Sequence, residues 1–249
     1  MDKGTNGKTI LVLGGTSDIG RATARHFAAR GWRIQLAGRD PEALQRDADD
    51  IASRSRVAVT VHAFDVLDST AMAPFIDGLP LLPDIVVCVV GLHGNQARAQ
   101  SDLDHATAIL RSNFEGPALI LGLFAEHFAR RGSGMIVGVT SVAGDRGRAS
   151  NYVYGSAKAG FSAYLSGLRN RLAKQDIHVI TVKPGFVRTR MTDGMKLPGP
   201  LTAAPEEVAS AIWRAADRKS DQIYVRRIWA VIMLGIRAIP EAIFKRLSI

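Results

Sequence analysis

The 249-residue sequence contains a single cysteine, Cys88, and no long hydrophobic run. One cysteine cannot form a disulfide within the chain, which is typical of proteins in a reducing compartment. No apolar segment approaches the ~20 residues that a membrane-spanning helix needs. The polar N-terminal stretch MDKGTNGKT shows no signal-peptide pattern. We therefore expect a cytoplasmic protein, and this length is ample for the core of a single α/β domain.

Acidic residues are also scarce, because 23 Asp and Glu stand against 32 Lys and Arg, for a net charge of +9. The excess favours an anionic partner such as nucleotide phosphates, nucleic acid or a membrane surface. The basic residues are scattered and no base-reading motif is present, so we predict no nucleic-acid binding. The histidines lack metal-ligand spacing, which predicts no metal site. The absence of a GxSxG motif argues against a hydrolase.

Short apolar runs alternate with helical patterns along most of the chain. This alternation predicts a Rossmann-type α/β fold, a doubly wound parallel sheet with helices on both faces. In such a sheet the carboxyl ends of the strands lie along one edge, where ligands bind. The predicted strands are 9–13, 32–37, 57–64, 85–90, 135–139 and 177–182, and the predicted helices include 42–54, 68–79, 104–129 and 206–218.

A glycine-rich turn, GGTSDIG at residues 14–20, joins the first strand to an amphipathic helix. Free backbone N–H groups and the helix dipole at such a turn attract a phosphate, and glycines let the backbone approach it closely. The context favours dinucleotide binding, with a structural turn as the alternative.

Arg39 and then Asp40 follow the second strand, at the position that meets the adenosine ribose in dinucleotide folds. An acidic residue there accepts from the 2′-hydroxyl, whereas an arginine pairs with a 2′-phosphate. Because the arginine comes first, we expect NADP(H), with NAD(H) as the second choice; Arg39 as a solvated loop cation is the alternative. Asp65 and Val66, after the third strand, are expected at the adenine amino group.

Ser141 follows the fifth strand, and Tyr154 and Lys158 stand four residues apart in a helical segment. That spacing puts both side chains on one helix face, and an ammonium near a phenol favours the phenolate. The pattern predicts a proton-transfer site, with a buried tyrosine beside a lysine as the alternative. Asn113 lies in a long helical stretch just before a Gly-Pro pair, where we expect a kink.

In this order and spacing, these motifs resemble the short-chain dehydrogenase/reductase family over nearly the whole chain. The resemblance implies that Tyr154 protonates a substrate carbonyl, while Lys158 holds the nicotinamide ribose and lowers the tyrosine pKa. It further implies that Ser141 orients the substrate oxygen and Asn113 anchors a water. A homodimer or homotetramer is also implied. The implied cofactor-binding residues are Gly14, Thr16, Ser17, Asp18, Ile19, Gly20, Arg39, Asp65, Val66, Gly91, Lys158, Pro184, Gly185, Val187 and Thr189.

Two departures from the common family pattern point to a narrower group. The middle glycine of the phosphate turn is Asp18, and the usual Asn-Asn-Ala-Gly after the fourth strand is Cys-Val-Val-Gly, ending at Gly91. Together with the segments RASNYVYGSAKAGF, KPGFVRTRM and IPEAIFKRLSI, they resemble the reductases that act with decaprenylphosphoryl-ribose 2′-epimerase. That resemblance implies reduction of a 2-keto-pentofuranose on a polyprenyl phosphate to its arabinose epimer, with an FAD-dependent oxidase as partner.

The C-terminal residues 223–249 combine five basic residues, one acidic residue and an apolar stretch, 228–236. Such a segment suits a membrane interface, and packing on the core or on a dimer partner is the alternative. We expect it to extend the reductase domain, residues 1–222, rather than form a second domain. Within that domain, 188–205 is the expected substrate loop.

Arg146 and Arg148 are expected at the cleft mouth, where they would bind a substrate phosphate; solvated loop arginines are the alternative. His93 is a further candidate for substrate contact. Three functions therefore remain open: a reductase of the lipid-linked keto sugar, a reductase of another ketone (acyl, steroid or free sugar), and an NADP-binding sensor without turnover.

Overall fold

A computed structural model describes residues 7–247. Seven strands form one sheet in the order β3-β2-β1-β4-β5-β6-β9, and every neighbouring pair is parallel. Two further strands pair with each other in a small separate sheet. The strands are β1 (Thr9–Leu13), β2 (Arg33–Gly38), β3 (Val59–Ala63), β4 (Ile85–Cys88), β5 (Gly134–Val139), β6 (Ile177–Lys183), β7 (Phe186–Val187), β8 (Thr202–Ala203) and β9 (Gln222–Tyr224).

Helices cover both faces of the large sheet, and each face has its own buried apolar cluster. The helices are α1 (Asp18–Ala28), α2 (Pro41–Ser55), α3 (Met72–Asp77), α4 (Gln96–Ala99), α5 (Leu103–Leu110), α6 (Gly116–Arg131), α7 (Tyr152–Leu172), α8 (Pro205–Asp217), α9 (Ile228–Ala238) and α10 (Glu241–Phe244). The predicted doubly wound parallel fold is confirmed. The strand order reverses between β1 and β4, which is where such folds bind ligands.

The central strands are apolar on both sides because helices cover both faces of the sheet. All residues of β1 and β4 are buried, which explains their continuous apolar sequences rather than an alternating pattern. β4 ends at Cys88, two residues earlier than predicted, and the chain then leaves the sheet toward Gly91.

The long helix predicted at 104–129 is interrupted where its sequence suggested a kink. Residues Arg111–Glu115 form a π-helical turn between α5 and α6, and Asn113 lies in its centre. A π turn adds a residue to the helical path, so that a chosen side chain can face inward. Asn113 is accordingly fully buried, at 0 % exposure.

The C-terminal segment packs on the reductase domain. β9 extends the large sheet by pairing with β6, so the expected boundary at residue 222 falls inside a strand of that sheet. Trp229 and Met233, on α9, form a small buried cluster with Val142. Packing on the core, the alternative left open by the sequence, is therefore what the described residues show. Within residues 7–247, no helix is both long and apolar enough to cross a bilayer.

Candidate active site

The glycine turn has the shape of an anion-binding site. Ser17 caps α1 by accepting a hydrogen bond from the Gly20 backbone N–H at 3.0 Å, and Gly14 has a left-handed φ of +89°. A Cβ on Gly20 would lie 2.4 Å from the Gly14 carbonyl oxygen, so this turn accepts only glycine there. The tight glycine turn therefore leads directly into the N-terminus of α1, and this arrangement fits a dinucleotide pyrophosphate.

Asp18 connects this turn to the predicted substrate loop. Its carboxylate accepts a 2.8 Å hydrogen bond from the Arg190 backbone N–H and lies 3.3 Å from the guanidinium Nε. The same guanidinium donates to the Thr16 carbonyl. The sequence alone did not indicate this contact, since the two residues are 172 positions apart.

Arg39 and Asp40 have separate roles at the end of β2. Asp40 is the N-cap of α2 and accepts from the Ala43 backbone N–H at 2.9 Å. Arg39 is exposed, and within the described part of the chain it has no ion-pair partner close by. Asp65 is exposed and accepts from the Leu67 backbone N–H, whereas Val66 is buried against Gly116.

A cavity of about 340 Å³ opens at the carboxyl edge of the sheet. It brings together most of the residues that the sequence nominated, from the turn to the Pro184-Gly185 segment. Its predicted members are Ile19, Gly91, His93, Ser141, Arg148, Tyr154, Lys158, Pro184, Gly185, Val187 and Thr189. Residues such as Met191, Met195 and Trp229 make much of the remaining wall apolar.

Asn113 holds the loop that carries Gly91. Its amide Nδ2 donates to the Leu92 carbonyl at 2.6 Å, and its Oδ1 accepts from the Leu92 backbone N–H at 3.2 Å. A Cβ on Gly91 would lie 2.9 Å from Asn113 Oδ1 and 3.4 Å from Lys158 Nζ, so glycine lets the three groups meet. Asn113 therefore positions the cavity floor beside the lysine.

The electrostatics of Tyr154 and Lys158 are set by burial. Desolvation raises the pKa of Tyr154 to about 12, and the Ser141 hydroxyl acts in the opposite direction. Desolvation lowers the pKa of Lys158 to about 8, and its ammonium donates to the Val139 carbonyl at 3.2 Å. The expected lowering of the tyrosine pKa by the lysine is therefore not seen in this structure. A raised pKa keeps the phenol protonated at neutral pH, which suits a proton donor.

The two arginines predicted to bind the substrate, Arg146 and Arg148, have different positions and different hydrogen-bond partners. Arg146 does not line the cavity; it donates to the carbonyls of Ile236, Arg237 and Ile239 and pairs with Glu241 at 2.8 Å. Arg148 lines the cavity, and its Nε is buried without an acceptor among the described residues. Burial lowers the pKa of its guanidinium, while the Asp145 carboxylate opposes the shift. The structure thus uses Arg146 to cap α9 and leaves Arg148 free to meet a ligand.

His93 stands beside the tyrosine. Its ring centroid is 5.0 Å from that of Tyr154, and its Nδ1 lies 3.2 Å from the Gly94 carbonyl oxygen. The imidazole also lines the cavity.

Sequence reasoning missed two features that shape the site. Trp229 closes one wall, where its ring covers Gly185 so tightly that a Cβ there would lie 2.0 Å from the indole. Asp145 is buried and binds Lys183 at 2.6 Å and the Tyr224 hydroxyl at 2.7 Å. No local pattern marks either contact, although a tryptophan in a short apolar stretch was a signal worth following.

Comparison with known proteins agrees with this geometry. Residues 8–197 match the family model described as short chain dehydrogenase. The chain is 34% identical over 248 residues to an uncharacterized oxidoreductase of Mycobacterium tuberculosis, with 98% of each chain covered. It is 33% identical over 256 residues to an uncharacterized oxidoreductase of Streptomyces coelicolor, with both chains fully covered (100%).

Two solved structures show the same fold. One, a short chain dehydrogenase/reductase family protein, is 29% identical with a TM-score of 0.79, covering 88% of this chain and 96% of the other. The other, a short-chain dehydrogenase from Sphingobium yanoikuyae in complex with NADPH, is 23% identical with a TM-score of 0.81, covering 94% and 97%.

The fold and the family match are those of a dinucleotide-dependent oxidoreductase. The chain belongs to the short-chain dehydrogenase/reductase family and is an NAD(P)-dependent oxidoreductase.

Proposed function

We propose that this enzyme uses NADPH to reduce the ketone of a phosphate-bearing sugar, namely a 2-keto-pentofuranose carried on a polyprenyl phosphate. The observation that carries the proposal is Arg148, which lines the same cavity as Tyr154 and whose Nε is buried without an acceptor among the described residues. The product is the arabinose epimer. A separate FAD-dependent oxidase would supply the ketone.

The polar groups of the cavity match a sugar phosphate. The buried Nε of Arg148 has no acceptor among the described residues, a cost that an oxygen of the ligand would remove, and arginine binds phosphate through paired hydrogen bonds. Asn151 also lines the cavity, and its Oδ1 is buried without a donor among the described residues. An amide oxygen of this kind accepts from a sugar hydroxyl.

The apolar part of the wall suits the lipid. Met191, Met195 and Trp229 line the cavity beside the catalytic side chains. Methionine side chains adapt to flexible apolar ligands, so this wall fits the first prenyl units better than a free sugar. An acyl or steroid ketone would also fit the apolar wall, but it would leave Arg148 without a partner.

The chain's own residues perform the acid catalysis. When bound, the cofactor supplies a hydride to the carbonyl carbon. Tyr154 donates its hydroxyl proton to the carbonyl oxygen, which Ser141 orients from the end of β5. Lys158, held by the Val139 carbonyl, places its charge 5.9 Å from the centre of the Tyr154 ring. An intact proton donor also argues against a sensor without turnover.

Several features support a preference for NADP(H) over NAD(H). The exposed Arg39 has no nearby carboxylate partner in the described structure, because Asp40 is used to cap α2. A free guanidinium at this position suits a 2′-phosphate. A homodimer or homotetramer and residence at the cytoplasmic membrane face belong to the same proposal.

Arg148→Met tests the substrate class. We expect kcat/KM to fall about 10- to 100-fold for a water-soluble short-prenyl phosphate of the 2-keto-pentofuranose, because two charge-assisted hydrogen bonds are lost. The matching alkyl glycoside without phosphate should lose less than about twofold. NADPH oxidation with both substrates gives the measurement.

Two further variants control this experiment. Arg54→Met removes an exposed arginine of α2, with 75% side-chain exposure, and should leave both substrates unaffected. Tyr154→Phe should abolish reduction of both while leaving NADPH binding nearly unchanged. Equal losses for both substrates in Arg148→Met would reject the phosphate site.

A further inference from the structure

The outer side of α9 carries an apolar row that nothing in the described chain covers. Ile228, Val231 and Leu234 are three residues apart and so lie along one side of the helix, with exposures of 47%, 67% and 71%. The other side carries Trp229 and Met233, which are 4% and 0% exposed. One helix thus has a face against the cavity wall and an apolar face in water.

Cations accompany this row. Four exposed basic residues lie at the ends of α9 and just after α10: Arg227, Arg237, Lys245 and Arg246. Glu241 is the one acidic residue between positions 226 and 247, and its carboxylate is bound by Arg146. The segment therefore presents exposed apolar side chains together with positive charge.

We propose that the outer face of α9 docks on an anionic lipid bilayer. An apolar row flanked by basic residues on a helix of 11 residues is too short to span a membrane and suits its interface. Anionic headgroups complement the four cations. A second copy of this chain is the poorer occupant, because a two-fold contact would set the same cations against each other.

Docking through this face places the substrate cavity at the membrane. Trp229 packs on Gly185 inside the cavity and donates to the Leu201 carbonyl at 3.2 Å. Arg146 fixes the other end of α9 to the segment that follows Ser141. If the substrate is lipid-linked, which rests on the proposed function, its chain stays in the bilayer while its sugar reaches Tyr154.

Vesicle co-sedimentation of the full-length protein tests the proposal. We expect binding to vesicles of phosphatidylglycerol and phosphatidylcholine to exceed binding to pure phosphatidylcholine roughly tenfold, and to weaken with added salt. The double variant Val231→Glu/Leu234→Glu should lose this binding. The control Leu81→Glu/Leu103→Glu adds the same charge at exposed leucines (47% and 80%) outside the segment and should bind as the wild type does.

The outcomes separate docking from substrate class. Absence of wild-type binding, or equal binding by both double variants, overturns the docking proposal. The docking proposal is also overturned if the wild type is a dimer that does not bind vesicles and that dissociates in the Val231→Glu/Leu234→Glu variant. Vesicle binding that persists while the phosphorylated ketone is not reduced supports docking and removes only the proposed substrate. Turnover of a water-soluble ketone shows that the variants are folded.

Discussion

At the scale of single residues, the site depends on a lysine held where its charge is costly. Lys158 is 3% exposed, and burial lowers its pKa to about 8. The family resemblance assigned this residue from its spacing to Tyr154, and the structure places both in one cavity. Spacing could not indicate how strongly the cofactor-free protein opposes the lysine's charge, because desolvation depends on every element that packs around it.

Lys158→Met should change how stability depends on pH. The folded pKa, about 8, lies below the ordinary value of 10.5, so between these values the unfolded chain binds more protons and wild-type stability rises with pH. Relative to the variant, the wild type should gain about 2–3 kcal/mol between pH 7 and pH 10, at about 1.4 kcal/mol per pKa unit.

Urea unfolding of the cofactor-free proteins at several pH values up to 10 measures this difference. Stability should not be compared above pH 10, because the raised pKa of Tyr154 makes the free energy of unfolding fall with pH between about 10 and 12. A stability difference that stays constant from pH 7 to pH 10 would contradict the interpretation.

The sequence could not distinguish the role of Arg146 from that of Arg148. They are two residues apart in one loop, and both have the chemistry to bind a phosphate. Only the position of α9, more than 80 residues further along, gives Arg146 three carbonyl acceptors, whereas the Nε of Arg148 has none among the described residues. Long-range contacts of this kind have no local sequence signal.

At the scale of elements, the predictable features are those with a local cause. The kink at Asn113, the glycine turn at 14–20 and six of the seven strands of the large sheet follow from periodicity, glycine and proline. The substrate loop is different. Between β7 and β8 this predicted loop is held in part by Asp18. The family resemblance marked Asp18 as a departure from the usual glycine and as a cofactor-binding residue, but it did not indicate this contact.

Asp18→Gly should loosen the substrate loop. The change removes two contacts from Arg190, a backbone hydrogen bond and an ion pair whose arginine is 65% exposed. An exposed pair contributes at most about 1 kcal/mol, which corresponds to about a fivefold larger open population. Trypsin should therefore cut at Arg188, Arg190 or Lys196 about 2- to 5-fold faster in the cofactor-free enzyme.

Asp40→Gly is the matched control for this measurement. Like Asp18→Gly, it replaces by glycine an aspartate that accepts a backbone hydrogen bond near a helix N-terminus, but the hydrogen bond of Asp40 is to Ala43 of α2 and not to the loop. Loop cleavage should stay at the wild-type rate in this variant. Equal acceleration in both variants would mean that general loss of stability, rather than the Asp18 contact, exposes the loop.

At the scale of the whole molecule, a buried ion pair unites segments from three distant parts of the chain. Asp145 follows Ser141 in the loop after β5, Lys183 ends β6 beside Pro184, and Tyr224 ends β9. The side chains of Asp145 and Lys183 are only 3% and 9% exposed. The pair therefore ties the loop after β5 to the sheet edge from which the C-terminal segment begins.

Lys183→Met should destabilise the whole fold. Removing one partner leaves the Asp145 carboxylate buried with only the Tyr224 hydroxyl, a loss of about 3–5 kcal/mol in the free energy of unfolding. The double variant with Asp145→Asn should recover part of the lost stability, because a neutral amide needs no counter-charge. Lys219→Met breaks a pair whose partners are 63% and 74% exposed and should cost less than about 1 kcal/mol. Urea unfolding of the wild type, Lys183→Met, Asp145→Asn and the double variant completes the cycle, and additive losses for Lys183→Met and Asp145→Asn would show that the two side chains do not act as a pair.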